Sequence, residues 1–219
     1  MKKALHRTIA ALLLAFWIGG LSGSAAFAAG KDSPELRKLR EDFIHNFHRL
    51  NINTTPGDAT FLRILVESSG AKRGVEVGTA TGYGALHMGW GFERTGGHLI
   101  TIDIDPKMVE AARENIKKMQ LQDSVTVVQG DALQVLPKLE GTFDFVFIDA
   151  VKRDYLRYFK AIEPKLVPGA IIVADNVIRF RNQMLDFLQT VENDPNYLMV
   201  VIRASELKKD GMAVIYKLK

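Results

Sequence analysis

The chain has 219 residues, with 29 Lys and Arg against 25 Asp and Glu, a formal charge of +4 and no cysteine. That length is one domain's worth and can bury its own core without staples. The absence of cysteine excludes disulfides, thiolate metal sites and a cysteine nucleophile.

At the N-terminus Lys2, Lys3 and Arg7 precede an uncharged stretch, residues 8–30, with an apolar centre at 9–18 and an Ala26-Phe27-Ala28 site. This order predicts a secretory signal peptide over residues 1–28, hence an exported protein. The alternative is a retained membrane anchor, because the uncharged stretch approaches the roughly 20 residues that span a bilayer. Removing those three basic residues lowers the formal charge from +4 to +1. The basic balance therefore belongs to the leader and gives little reason to expect nucleic acid.

Residues 33–219 read as one domain. Helices are predicted at 36–50 and 58–67. His45 and His48, one turn apart in the first, read as the polar face of an amphipathic helix rather than a metal site. Strands are predicted at 74–77, 98–103, 125–129, 143–148, 170–174, 198–202 and 212–216, with helices between the first five. Asp105-Pro106 is an N-cap and first-position proline opening a helix to about Met119. This alternation predicts an α/β fold with a doubly wound, mostly parallel seven-stranded sheet. The segment 204–211 is too short for a parallel crossover, so the last two strands should form an antiparallel C-terminal hairpin.

The chemistry gathers at strand ends. The first strand runs through Glu76 into Gly78, Thr79, Gly82 and Gly84, a glycine-rich turn whose spacing is not that of dinucleotide enzymes. The second ends at Asp103, an acid suited to a ribose diol, although Asp105 competes for that role. After the third, Asp131-Ala132 either caps a helix or faces an adenine. Together these predict a nucleoside pocket without a pyrophosphate cradle. The fourth and fifth strands end on Asp149 and on Asp175-Asn176, with Lys152 close behind. If these strands are neighbours, two carboxylates, an amide and an amine converge. Such oxygen donors suit Mg²⁺ or a similar hard cation, beside a base. For Asp149 alone, a helix N-cap is the simpler reading.

The segments VEVGTATGYG, TIDIDP, QGDA, FIDAVKRDY and ADN, in this order, resemble the class I S-adenosylmethionine-dependent O-methyltransferases. The similarity is to the metal-dependent group that includes catechol and caffeoyl-CoA O-methyltransferases, and it runs from about Leu50 to the C-terminus. The resemblance implies that Thr54, Glu76, Gly78, Thr79 and Gly84 cradle S-adenosylmethionine, that Asp103 takes the ribose, and that Asp131 and Ala132 flank the adenine. It makes Asp149 serve both cofactor and metal, Asp175 and Asn176 complete the ligands, and Lys152 the catalytic base. The expected acceptor is a catechol-like small aromatic, and a homodimer is compatible with the family. Two other readings are a tRNA hydroxyuridine O-methyltransferase and a secreted binding protein that has lost turnover. After Asn176 the chain passes almost directly into a helix from about Asn182, without the long loop of plant caffeoyl-CoA enzymes, which disfavours a CoA ester. Arg179 and Arg181 could then face an acidic substituent. The animal catechol enzyme holds the second hydroxyl with a carboxylate from near the final hairpin; no residue around Ala204 matches it securely, and Glu206 is only a candidate.

Overall fold

The computed structural model describes residues 33–219, and the leader expected at 1–28 lies outside the described residues. Seven strands form a single sheet: β1 (Arg73–Val77), β2 (His98–Asp103), β3 (Val125–Gln129), β4 (Phe143–Ile148), β5 (Leu166–Ala174), β6 (Tyr197–Ile202) and β7 (Met212–Lys217). Their order is β3-β2-β1-β4-β5-β7-β6. The first five are parallel, whereas β7 runs antiparallel to both β5 and β6. The doubly wound sheet and its antiparallel hairpin are as expected from the sequence. Strand β5 begins four residues earlier than predicted. A register shift between Phe143 and Phe145 on β4, opposite Pro168 and a positive-φ Gly169, lets the strand resume its pairing at Ile171.

Strand β4 shows how the sequence builds two cores. Side chains alternate across a strand, and here Val146 and Ile148 join one buried cluster while Phe145 and Phe147 join the other. All four are fully buried. A strand covered on both faces must be apolar throughout, which explains the unbroken run Phe145–Ile148. Each buried side chain of this size contributes roughly 1.5 to 3 kcal/mol.

Helices α1 (Pro34–His45), α2 (Pro56–Ser69), α3 (Tyr83–Thr95) and α4 (Pro106–Lys118) pack around the Phe145 and Phe147 face. The short α5 (Ala132–Val135), α6 (Tyr155–Ile162) and α7 (Leu185–Glu192) cover the other. Arg40 of α1, 1% exposed, pairs with Glu93 of α3 at 2.6 Å and donates to the carbonyls of Met119 and Gln120. Four of the five hydrogens of this guanidinium therefore meet oxygen, as burial of a charge demands.

The predicted helix 36–50 is corrected: α1 stops at His45, where Asn46 caps it by bonding the Asp42 carbonyl. The chain turns there so that Phe47 can pack on Phe43 and Tyr83, with ring centroids 5.8 and 5.0 Å apart. His45 and His48 consequently do not share a helix. Among the described residues, no helix is long and apolar enough to cross a membrane.

Candidate active site

Between β1 and β4 the strand order reverses direction, the place where open α/β sheets bind ligands. A cleft of about 1250 Å³ opens at this end of the sheet. It is lined by residues that follow five strands in turn: Gly78 after β1, Asp103 and Ile104 at β2, Asp131 and Ala132 after β3, Asp149 and Lys152 after β4, and Asp175 and Asn176 after β5.

The first turn is shaped by the protein's own packing. Gly78 has φ 97°, and a Cβ there would stand 2.1 Å from the Asp149 carbonyl oxygen. Glycine thus lets β1 turn against the end of β4, which closes the cleft floor. A Cβ on Gly84 would meet Glu76 Oε1 at 2.7 Å and Thr54 Oγ1 at 3.2 Å. Thr54, Glu76 and Gly84 therefore come together as a buried layer, and none of the three, which the resemblance assigns to the cofactor cradle, is in the cleft lining. Thr79 belongs to the same layer, sharing a hydroxyl contact with Thr101, which donates to Glu76. Burial pushes the Glu76 carboxyl up to about 8; the charges of Asp149 and Asp103 add to that, against the Thr101 hydrogen bond.

Asp103 and Asp105 divide the roles that the sequence left open. Asp105 caps α4, accepting from the Lys107 amide at 2.8 Å. Asp103 lines the cleft and is aimed by two backbone amides, those of Ala80 at 2.8 Å and Asp105 at 2.9 Å. Ala80 adopts φ 47°, a left-handed conformation costing about 1 to 2 kcal/mol outside glycine, and this turns its N–H to Asp103. Nothing in the sequence marked Ala80. Asp131 caps α5 through the Leu133 amide at 2.9 Å and also lines the cleft.

The fourth and fifth strands deliver the reactive groups. Lys152 Nζ donates to Asp149 Oδ1 at 2.6 Å and to the Tyr155 hydroxyl at 2.9 Å. Tyr155, fully buried, passes its own proton toward the Asp175 carbonyl at 3.1 Å. Burial, helped by the neighbouring carboxylates Asp149 and Asp175, holds this phenol well above its ordinary range, so it remains a donor. Lys152 is fixed on both sides. Asp175 is 1% exposed; burial pushes its carboxyl up to about 7 and Asp149 adds to that, while Lys208 pulls the other way. Asn176 sits at φ 63°, a left-handed position that asparagine tolerates.

The hairpin loop brings residues that sequence reading missed. Asp210 accepts from Asn176 Nδ2 at 3.1 Å and from the amides of Ile178 and Arg179. Burial opposes its charge, but these amides and that of Gly211 outweigh it and hold the carboxyl below its ordinary value. Lys208 Nζ reaches both Asp175 oxygens and Asp58. Glu206, by contrast, is exposed and lies outside the cleft lining. Of the two arginines, Arg179 lines the cleft and Arg181 does not.

A family model described as O-methyltransferase matches residues 26–213. The chain belongs to this O-methyltransferase family. It is 39% identical over 132 residues to the catechol O-methyltransferase of Niastella koreensis (strain DSM 17620 / KACC 11465 / NBRC 106392 / GR20-10), covering 58% of this chain and 59% of that protein. It is 32% identical over 154 residues to caffeoyl-CoA O-methyltransferase 1 of Eucalyptus globulus, covering 68% and 61%. The match thus spans about six tenths of each relative. The crystal structure of cofactor-bound Rv0187 from MTB superposes with a TM-score of 0.72 at 29% identity, covering 88% of this chain and 94% of that one.

Within this O-methyltransferase chain, the donors fit a hard divalent cation by type. Asp149 and Asp175 offer carboxylate oxygens, and Asp210 engages Asn176 Nδ2, so the amide oxygen Oδ1 is the Asn176 atom that could serve a metal. Among the described residues, no group of three His, Cys, Asp or Glu side chains could hold a metal. Three protein donors are reached only by including the amide.

Proposed function

We propose that this chain transfers a methyl group from S-adenosylmethionine to one hydroxyl of a catechol-like small aromatic, assisted by Mg²⁺ or a similar divalent cation. The convergence of Asp149, Lys152, Asp175 and Asn176 in the cleft that also holds Asp103 and Asp131 carries this reading. A fold that merely bound a nucleoside would not need the first four.

In this mechanism Asp103 accepts hydrogen bonds from the ribose hydroxyls, having spare lone pairs beyond its two amide partners. Asp131 and Ala132 flank the adenine. A bound divalent cation, held by Asp149, Asp175 and Asn176, would supply positive charge that makes a phenolic hydroxyl ionise near neutral pH. Lys152 takes that proton at Nζ, where Tyr155 and Asp149 already hold the side chain. The phenolate oxygen then forms a bond to the sulfonium methyl as the carbon–sulfur bond breaks, giving a methyl ether and S-adenosylhomocysteine. Alignment accounts for much of such a displacement's rate, and the cleft walls supply it. After Asn176 a turn at residues 177–180 and a 3₁₀ turn, Arg181–Gln183, lead into α7, so the cleft has no long lid there. This favours a small acceptor over a CoA ester.

Asp103→Ala is expected to weaken S-adenosylmethionine binding by about 1.5 to 3 kcal/mol for each charge-assisted hydrogen bond lost, roughly tenfold or more. Isothermal calorimetry measures it. Tight NAD binding with no detectable S-adenosylmethionine binding would sink the methyltransferase reading.

We further propose that residues 1–28 export the protein. Mass spectrometry after expression in a bacterium with a Sec pathway should find a chain beginning near residue 29. An intact N-terminus in the membrane fraction would favour an anchor, and an intact soluble chain refutes both.

A further inference from the structure

We infer that Lys208, on the loop between β6 and β7, is a built-in competitor for the divalent cation, so that a metal reaches Asp175 only when this side chain withdraws. The inference rests on the metal-assisted reading proposed above. Lys208 Nζ lies 2.8 Å from Asp175 Oδ1 and 2.6 Å from Oδ2, spanning the carboxylate. The same nitrogen stands 2.8 Å from Asp58 Oδ2, near the start of α2. An ammonium has three hydrogens, and three carboxylate oxygens meet them here.

A divalent cation needs an Asp175 oxygen lone pair and the space in front of it. Lys208 engages both oxygens. Its charge also repels the metal's, and Asp58 and Asp175 are each 1% exposed, where solvent screens little. Withdrawal is opposed as well, because among the described residues the Asp58 carboxylate would keep the Thr55 hydroxyl at 2.7 Å and the start of the helix as partners. The other anchor of the loop can stay in place. Asp210, two residues on, bonds Asn176 Nδ2 and the amides of Ile178 and Arg179, and none of these involves a metal donor atom. One short loop thus orients one ligand through Asp210 and caps another through Lys208. Leu207, Lys208 and Lys209 also line the cleft, so movement of this segment changes its mouth.

The test is Mn²⁺ binding, followed by electron paramagnetic resonance without S-adenosylmethionine or acceptor, in the wild type, Lys208→Met, and the double variant Asp58→Asn with Lys208→Met. The double variant removes the carboxylate that the single one leaves buried without its ammonium, guarding against misfolding. It also removes a negative charge, so tighter binding there cannot come from added negative potential. Competition predicts that a folded variant binds Mn²⁺ about tenfold or more tightly than the wild type. It also predicts that saturating Mn²⁺ speeds amide hydrogen exchange at residues 205–209 of the wild type. Equal or weaker Mn²⁺ affinity in both variants overturns the competitor role and leaves the metal reading standing. No Mn²⁺ binding by any of the three proteins overturns the metal reading itself.

Discussion

Chelation by EDTA should reduce methyl transfer to a catechol by about a thousandfold or more, and added Mg²⁺ should restore it. Asp175→Ala should show the same loss and no rescue. The magnitude follows from the several kcal/mol of charge stabilisation that a metal supplies, each 1.36 kcal/mol being tenfold in rate. The two treatments differ because chelation leaves the donors in place, whereas the variant deletes a carboxylate that approaches the Asn176 amide at 2.7 Å and holds the Lys208 ammonium. Removing that carboxylate leaves Lys208 with Asp58 alone, so circular dichroism must first show that the variant folds. Activity is read as S-adenosylhomocysteine formed with a catechol acceptor. Full wild-type activity in EDTA would remove the metal from the mechanism, and rescue of Asp175→Ala by Mg²⁺ would remove this residue from the ligand set.

The five strand ends were readable because each strand is an apolar run that stops at an acid or a glycine, and neighbouring parallel strands expose those ends on one side. Asp103, Asp131, Asp149 and Asp175 could therefore be assigned to one cleft without coordinates. What periodicity cannot convey is depth. Thr54, Glu76, Thr79 and Gly84 lie one layer behind the cleft wall, and only the packing of Gly84 against Glu76 and Thr54 shows this. Tyr155 was within reach, three residues after Lys152 on the same turn, but its contact to the Asp175 carbonyl depends on how α6 crosses β5. The hairpin loop was the least legible part. Residues 204–211 have no period to count, and their register over the site depends on the β5–β7 pairing, so Glu206 was the only candidate where Asp210 and Lys208 make the contacts. Asp58 stood out only as the start of the predicted helix 58–67; in the structure its amide donates to the N-cap Thr55 and its carboxylate accepts from that hydroxyl.

Lys152→Ala separates the base from the metal. The substitution leaves Asp149, Asp175 and Asn176 in place, so catechol affinity should change little while kcat falls by about 10² to 10⁴, the usual effect of losing a general base. A merely structural lysine would give a different pattern. If Lys152 served only to neutralise Asp149, 2.6 Å away, its removal would change ligand affinity or stability more than kcat. A pH profile sharpens the distinction. At higher pH, hydroxide can take the proton that Lys152 no longer accepts, so kcat of the variant should climb toward the wild type as pH rises, whereas a misplaced substrate would gain nothing. Tyr155→Phe supplies an intermediate case. It removes the 2.9 Å contact that holds Nζ but keeps the amine, so its loss should be smaller than that of Lys152→Ala and should likewise fall on kcat. Unchanged kcat in Lys152→Ala would reduce this residue to scaffold and leave proton removal to solvent.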